Sequence, residues 1–140
     1  MIKSCFRFLL LLSFILSTAV TAQQNAPVPN TMLVCSGRIT SSDDPQGYEG
    51  RLVEGVYLEF INQEATLYNI GFLAAPWPDA LKLTIVSSNP GSVRFLGPKY
   101  YGRLTGNINR VSGEIFLFDD MGPRYATFKG LCNQTSKKVF

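Results

Sequence analysis

The side chains in this sequence that could do chemistry are carboxylates, and two adjacent pairs stand out, Asp43-Asp44 and Asp119-Asp120. Paired Asp or Glu side chains chelate hard cations, or divide acid and base roles in glycoside hydrolysis. Neither pair has EF-hand or other ligand spacing, and both lie beside turns, where Asp is an ordinary residue. Both pairs are therefore expected to be solvated turn residues, with no metal or cofactor implied. The chain contains no histidine. That removes Ser-His-Asp and Cys-His catalysis, His-ligated zinc and the usual near-neutral general base.

The other candidates make contacts rather than reactions. Trp77, the single Trp, stands between Pro76 and Pro78. A ring held on such a loop is a contact anchor; turned inward, it plugs the end of a small barrel and adds core energy. Residues 40–50, TSSDDPQGYEG, carry Asp43, Asp44 and Tyr48 in the longest polar insertion, so these three join Trp77 as binding candidates. Tyr57, Tyr100 and Tyr101 are further aromatics, but no period links them. Asn133-Gln134-Thr135 matches a glycosylation sequon, which matters only in a host that glycosylates.

Residues 1–22 read as an export signal. Lys3 and Arg7 precede an apolar run over residues 8–16, and Val20-Thr21-Ala22 suits a cleavage site. The run is short against the roughly 20 residues of a membrane span. Removing 22 of the 140 residues leaves 118, enough for one domain. Lys3 and Arg7 are two of the 13 basic residues, so the remainder carries 11 against 10 acidic, net +1. Such a balance gives no support to nucleic-acid binding. Cys5 leaves with the signal, and Cys35 and Cys132 remain. An even pair in an exported chain reads first as a disulfide; the alternative, a reactive redox pair, would favour CxxC spacing, which is absent. Opposing the two cysteines in antiparallel strands sets Gly37 against Gly130 and Ile39 against Phe128, at the cost of Arg38 facing Lys129.

Elements that would position these residues are short and alternating. Residues 23–30, QQNAPVPN, read as an extended polar leader before a single domain over 31–140. Strand patterns follow at 32–40, 56–61, 65–72, 81–87, 93–95, around a hairpin turn within 101–119, and at 125–132. In that hairpin Asn109-Arg110-Val111-Ser112-Gly113 is a turn whose Gly should take positive φ, followed by an almost unbroken apolar run at 115–118. Asn89-Pro90-Gly91-Ser92 predicts a type II turn with Gly91 at positive φ. No stretch sustains a helical period. The fold expected is all-β, a small antiparallel up-and-down meander of about eight strands closing into a barrel, with a two-sheet sandwich as the alternative. A membrane-spanning barrel is set aside because alternation back from Phe140 gives no apolar face and the strands read shorter than the roughly 9–11 residues required.

With those residues placed, the chain resembles a set of small exported bacterial proteins of unknown function. The shared features are Cys35-Ser36-Gly37 in the first strand, Phe60-Ile61-Asn62 running into a turn, Ile108-Asn109-Arg110-Val111-Ser112-Gly113, and Cys132 followed by a terminal Phe140. Asn109 stands where those proteins more often carry Asp, and Pro76-Trp77-Pro78 falls outside their pattern. The resemblance implies an exported β domain and no catalytic residue. The reading is a periplasmic or secreted binding or inhibitory module, not an enzyme, with a protein, small-molecule or saccharide partner and no membrane span after cleavage. A carboxylate-dependent hydrolase and a structural envelope protein are the alternatives.

Overall fold

Alternation of apolar and polar side chains gives each strand an inner and an outer face, and in a computed structural model the inner faces meet around one core. The structure describes residues 26–43, 50–99 and 102–136. The expected signal, Asp44, Tyr48, Tyr100, Tyr101 and Phe140 lie outside the described residues. Eight strands follow in order: β1 (Thr31–Ser41), β2 (Arg51–Ile61), β3 (Glu64–Tyr68), β4 (Ala80–Ser88), β5 (Ser92–Leu96), β6 (Arg103–Asn109), β7 (Glu114–Asp120) and β8 (Tyr125–Gln134). Each pairs antiparallel with the next, and β8 returns to β1, so the meander is a closed barrel. Closure leaves no edge strand to template association.

The closing seam has the register that the cysteines imply. Cys35 faces Cys132, Gly37 faces Gly130 and Ile39 faces Phe128. Cys35 and Cys132 are disulfide-bonded, with Cα atoms 4.0 Å apart. A side chain at either glycine would collide with the facing strand's backbone, Gly37 with the Lys129 carbonyl and Gly130 with that of Ser36. Glycine is thus required for the two strands to approach. Curvature comes from two bulges. One residue of β1 faces two of β2 between the pairs Cys35–Val56 and Gly37–Val53, and Val86 is extra between Ile85 and Ser87 of β4.

The core is filled by inward residues of the strands, among them Leu58, Leu67, Phe95, Leu117 and Phe128, all fully buried. Phe128 also packs against Phe72 with ring centroids 5.5 Å apart. The outer faces carry Arg38, Glu54, Arg94, Asn107 and Lys129, all exposed.

One apolar run resolves into two faces, and three local expectations are corrected. The run at 115–118 splits by the period of two: Ile115 and Leu117 point inward, while Phe116 lies outside with the Lys129 ammonium 5.7 Å from its ring centre. β3 stops at Tyr68, where Asn69 takes a positive φ of 59°, and does not reach Phe72. Gly91 does not take positive φ. The Asn89 carboxamide oxygen instead accepts from the amides of Gly91 and Ser92, an Asx-type turn that needs no left-handed residue. Strands β1, β2, β4 and β8 run to 9–11 residues, longer than the patterns suggested. Strand length therefore does not set this barrel apart from a membrane-spanning one.

Gly113 does hold the expected conformation, at φ 78°. A Cβ there would sit 2.5 Å from the Cys132 carbonyl oxygen, whereas one at Gly122, also left-handed at φ 84°, meets nothing within 4 Å. Gly113→Val should therefore cost roughly 1–3 kcal/mol, and Gly122→Val less, because only the first adds a collision to the backbone strain. Urea midpoints of the two variants and the parent check this; equal midpoints for Gly113→Val and the parent would contradict it.

Candidate functional site

The two ends of the barrel are closed by different devices, and the sequence-derived candidates fall mostly at one of them. That end carries the connections 69–79 and 121–124. Counting by two along β7 places Asp119 on the inner face after Ile115 and Leu117, and it is 0% exposed. Its Oδ2 accepts from the Ala75 amide and from the Trp77 indole Nε1–H, both at 2.9 Å. Its Oδ1 has no hydrogen-bond partner among the described residues. Asp119 is thus not the solvated turn residue expected. It is the polar anchor of an apolar plug formed by Ile70, Leu73, Ala74, Ala75 and Trp77.

Trp77 is 7% exposed. Of its two expected roles the structure shows the plug, because the flanking prolines hold the ring over the barrel mouth and Asp119 satisfies its N–H. An exposed contact anchor it is not. Asp120 points to the opposite face and accepts from the Gly122 amide at 2.8 Å, so adjacent carboxylates diverge instead of forming a pair. Asp43 is exposed and engages Arg124 through Nη2 at 2.7 Å and Nε at 2.9 Å. That hydrogen bond, and then the Asp43 charge, raise the Arg124 pKa above its ordinary value. Asp43 lines one depression with Leu73 and Ala74 of the plug connection, while the Trp77 ring is turned into the core. Among the described residues no three carboxylate or thiol groups gather where a metal ion could be held.

The opposite end carries the tight turns and the described part of the extended leader. Residues 26–30 cross the barrel mouth as a strap, and Val28 is buried to 4% exposure. Beside it opens a cleft of about 450 Å³. Phe60, Val93 and Ile108 form its apolar floor; Arg110, Ser112 and Gln134 are among its polar walls. This is the usual composition of a binding cleft, an apolar base with a few directed polar groups.

One wall of the cleft is the β6–β7 turn, and it is braced from several sides. The Asn109 carboxamide oxygen accepts from the amides of Val111 at 2.9 Å and Ser112 at 3.0 Å. Gly113 donates to the Asn109 carbonyl, and the Cys132 amide donates to the Gly113 carbonyl. Arg110 donates to the carbonyl of Asn89 and to that of Pro27. At the tip of this fixed turn stands Val111, 86% exposed. The Asn–Gly spacing identifies the turn, whereas nothing in the local pattern marks its apolar tip as exposed. The signal for the strap was Val28 itself, one apolar residue between two prolines.

No protein-family model, no curated protein and no solved structure matches this chain.

If the plug depends on the Asp119–Trp77 bond, Trp77→Ala should cost roughly 3–5 kcal/mol. Trp77→Phe should cost less, leaving Asp119 one donor short. A double-mutant cycle of Trp77→Phe with Asp119→Ala, read by urea unfolding, should give a coupling of about 1–3 kcal/mol. Strictly additive losses would show that the carboxylate does not hold the ring.

Proposed function

We propose that this chain is an exported binding module, in the periplasm or secreted, that meets a protein partner with the strap end of its barrel. The observation that carries this is Val111. Among the described residues, the most exposed large apolar side chain sits on a turn held by Asn109, Arg110 and Cys132. A solvent-facing valine on a turn that need not be ordered on binding loses little entropy on contact. The cleft beside it is lined by Val28 and Pro29 of the strap and by the polar groups of Arg110, Ser112 and Gln134, which a partner side chain would meet. An inhibitory role would use the same rigid projection, entering another protein's cleft.

Export is supported by the signal-like residues 1–22 and by a disulfide between Cys35 and Cys132, which suits an oxidising compartment. The outer faces mix charged and polar residues such as Arg38, Glu54, Arg94 and Lys129 with exposed apolar ones such as Leu52 and Leu131. The apolar, packed interior is what favours an aqueous barrel over a lipid-facing one with a polar lumen. The hydrolase reading draws less support, because Asp119 is committed to Trp77 and Asp120 faces away from it.

The test is site-specific photo-crosslinking in the exporting cell. A benzophenone side chain at Val111 should give a discrete protein adduct, while one at the exposed Asn107 on the barrel wall should give none. Adducts at Asn107 with none at Val111 would place the contact elsewhere and overturn the proposal.

A further inference from the structure

We infer that the strap end of the barrel is a groove for an extended peptide and that residues 26–30 are its resident occupant. This rests on the reading that the strap end is the contact end, and it names the class of ligand taken there: an extended segment of a partner protein with a small branched apolar residue next to proline. The strap is held by backbone hydrogen bonds at Ala26, Pro27 and Val28, by the buried Val28 side chain, and by the Asn30 Oδ1 accepting from the Asn62 amide at 2.8 Å. The Val28 amide donates to the Gln63 Oε1 at 3.0 Å, and Gln63 Nε2 donates to the Val28 carbonyl at 2.9 Å. A side-chain carboxamide thus stands where a neighbouring strand would present its peptide group. Two residues earlier the pattern repeats, with the Ala26 amide donating to the Ser88 carbonyl at 2.9 Å and Ser88 Oγ donating to the Ala26 carbonyl at 2.6 Å.

On either side of Val28, Pro27 and Pro29 keep the backbone extended and present no N–H that would need a partner. The Pro27 carbonyl accepts from Arg110 Nη2 at 3.2 Å. Only Val28 sends its side chain deep, joining Phe60, Val93 and Ile108 in the core cluster. This is the chemistry of β-strand addition, main-chain bonds for affinity and one pocket for selectivity. A closed barrel offers no edge on which to perform it, and here Gln63 and Ser88 supply the missing ladder. Ser88 is buried and its hydroxyl is satisfied by the strap. Uncovering the groove would expose Phe60, Val93 and Ile108 to water, so the groove favours replacement of the strap by a similar segment over standing empty.

The experiment uses the whole exported chain with Val28→Asp, which weakens the strap while leaving the groove walls intact, and a synthetic peptide of residues 23–30, QQNAPVPN, as the probe. Titration followed by amide NMR should give saturable shifts at the Gln63 side chain, Ser88, Val93 and Ile108. The same peptide carrying Val28→Asp should bind at least about tenfold more weakly. The unsubstituted protein should also bind the parent peptide at least about tenfold more weakly, because its own strap competes for the site. If Val28→Asp does not fold, Val28→Ala takes its place with the same readout. No shifts at these residues, or equal responses to the two peptides, would overturn the groove. A crosslink at Val111 without peptide binding would sink this inference alone, whereas peptide binding without that crosslink would sink the protein-contact reading.

Discussion

Everything in this barrel hangs on the seam where β8 returns to β1. The seam joins residues near the two ends of the domain, and its disulfide spans a sequence separation of 97 residues. By chain entropy, a link of that length contributes on the order of 4–5 kcal/mol. The bond works only because the backbones approach, which the facing Gly37 and Gly130 permit. On the outside the same register opposes Arg38 and Lys129, an unfavourable like-charge pair. Lys129 relieves part of that cost by placing its ammonium over the Phe116 ring, and Arg38 donates to the Gly50 carbonyl. Core register wins over surface charge, as expected when burying Ile39 and Phe128 outweighs an exposed repulsion.

A closed barrel has two mouths, and water entering either would reach the core. The chain meets the two openings with unlike solutions. At one, connection 69–79 folds inward and Trp77 fills the opening, tied down by a buried carboxylate. Burying Asp119 is costly unless its oxygens find donors, and Oδ2 finds two. At the other mouth, a strap of backbone crosses above Phe60, Val93 and Ile108, satisfied by side chains of the turns and strand ends beneath it. The first closure is built from core packing around a buried carboxylate, and the second combines the burial of Val28 with main-chain hydrogen bonds.

What could be read from the sequence follows the same physics. Cys35, Gly37 and Ile39 share one face by the period of two, as do Cys132, Gly130 and Phe128, so the seam register was legible before any coordinates. Gly113 was legible because a turn opened by Asn109 needs a left-handed residue to close. Asp119 was misread because its neighbour Asp120 suggested a turn, although counting from Ile115 and Leu117 puts it inside. The end of β3 was hidden by the apolar residues Ile70 and Phe72, which look like more strand but belong to the plug and its surroundings. Trp77 between prolines fits both plug and contact, and only the position of Asp119 decides. The strap was least legible, since its bonds come from Gln63, Ser88 and Arg110, residues that are distant in sequence.

Native-state hydrogen exchange, with the disulfide intact and then reduced, tests the seam most directly. If closure is the constraint on which the rest depends, opening β1 from β8 is global unfolding. Reduction should then lower protection of the β3–β4 amides, well away from the seam, by as much as those of β1 and β8. Loss of protection confined to β1 and β8, with β3 to β6 still protected, would show that the barrel keeps its core without its seam and would contradict the account.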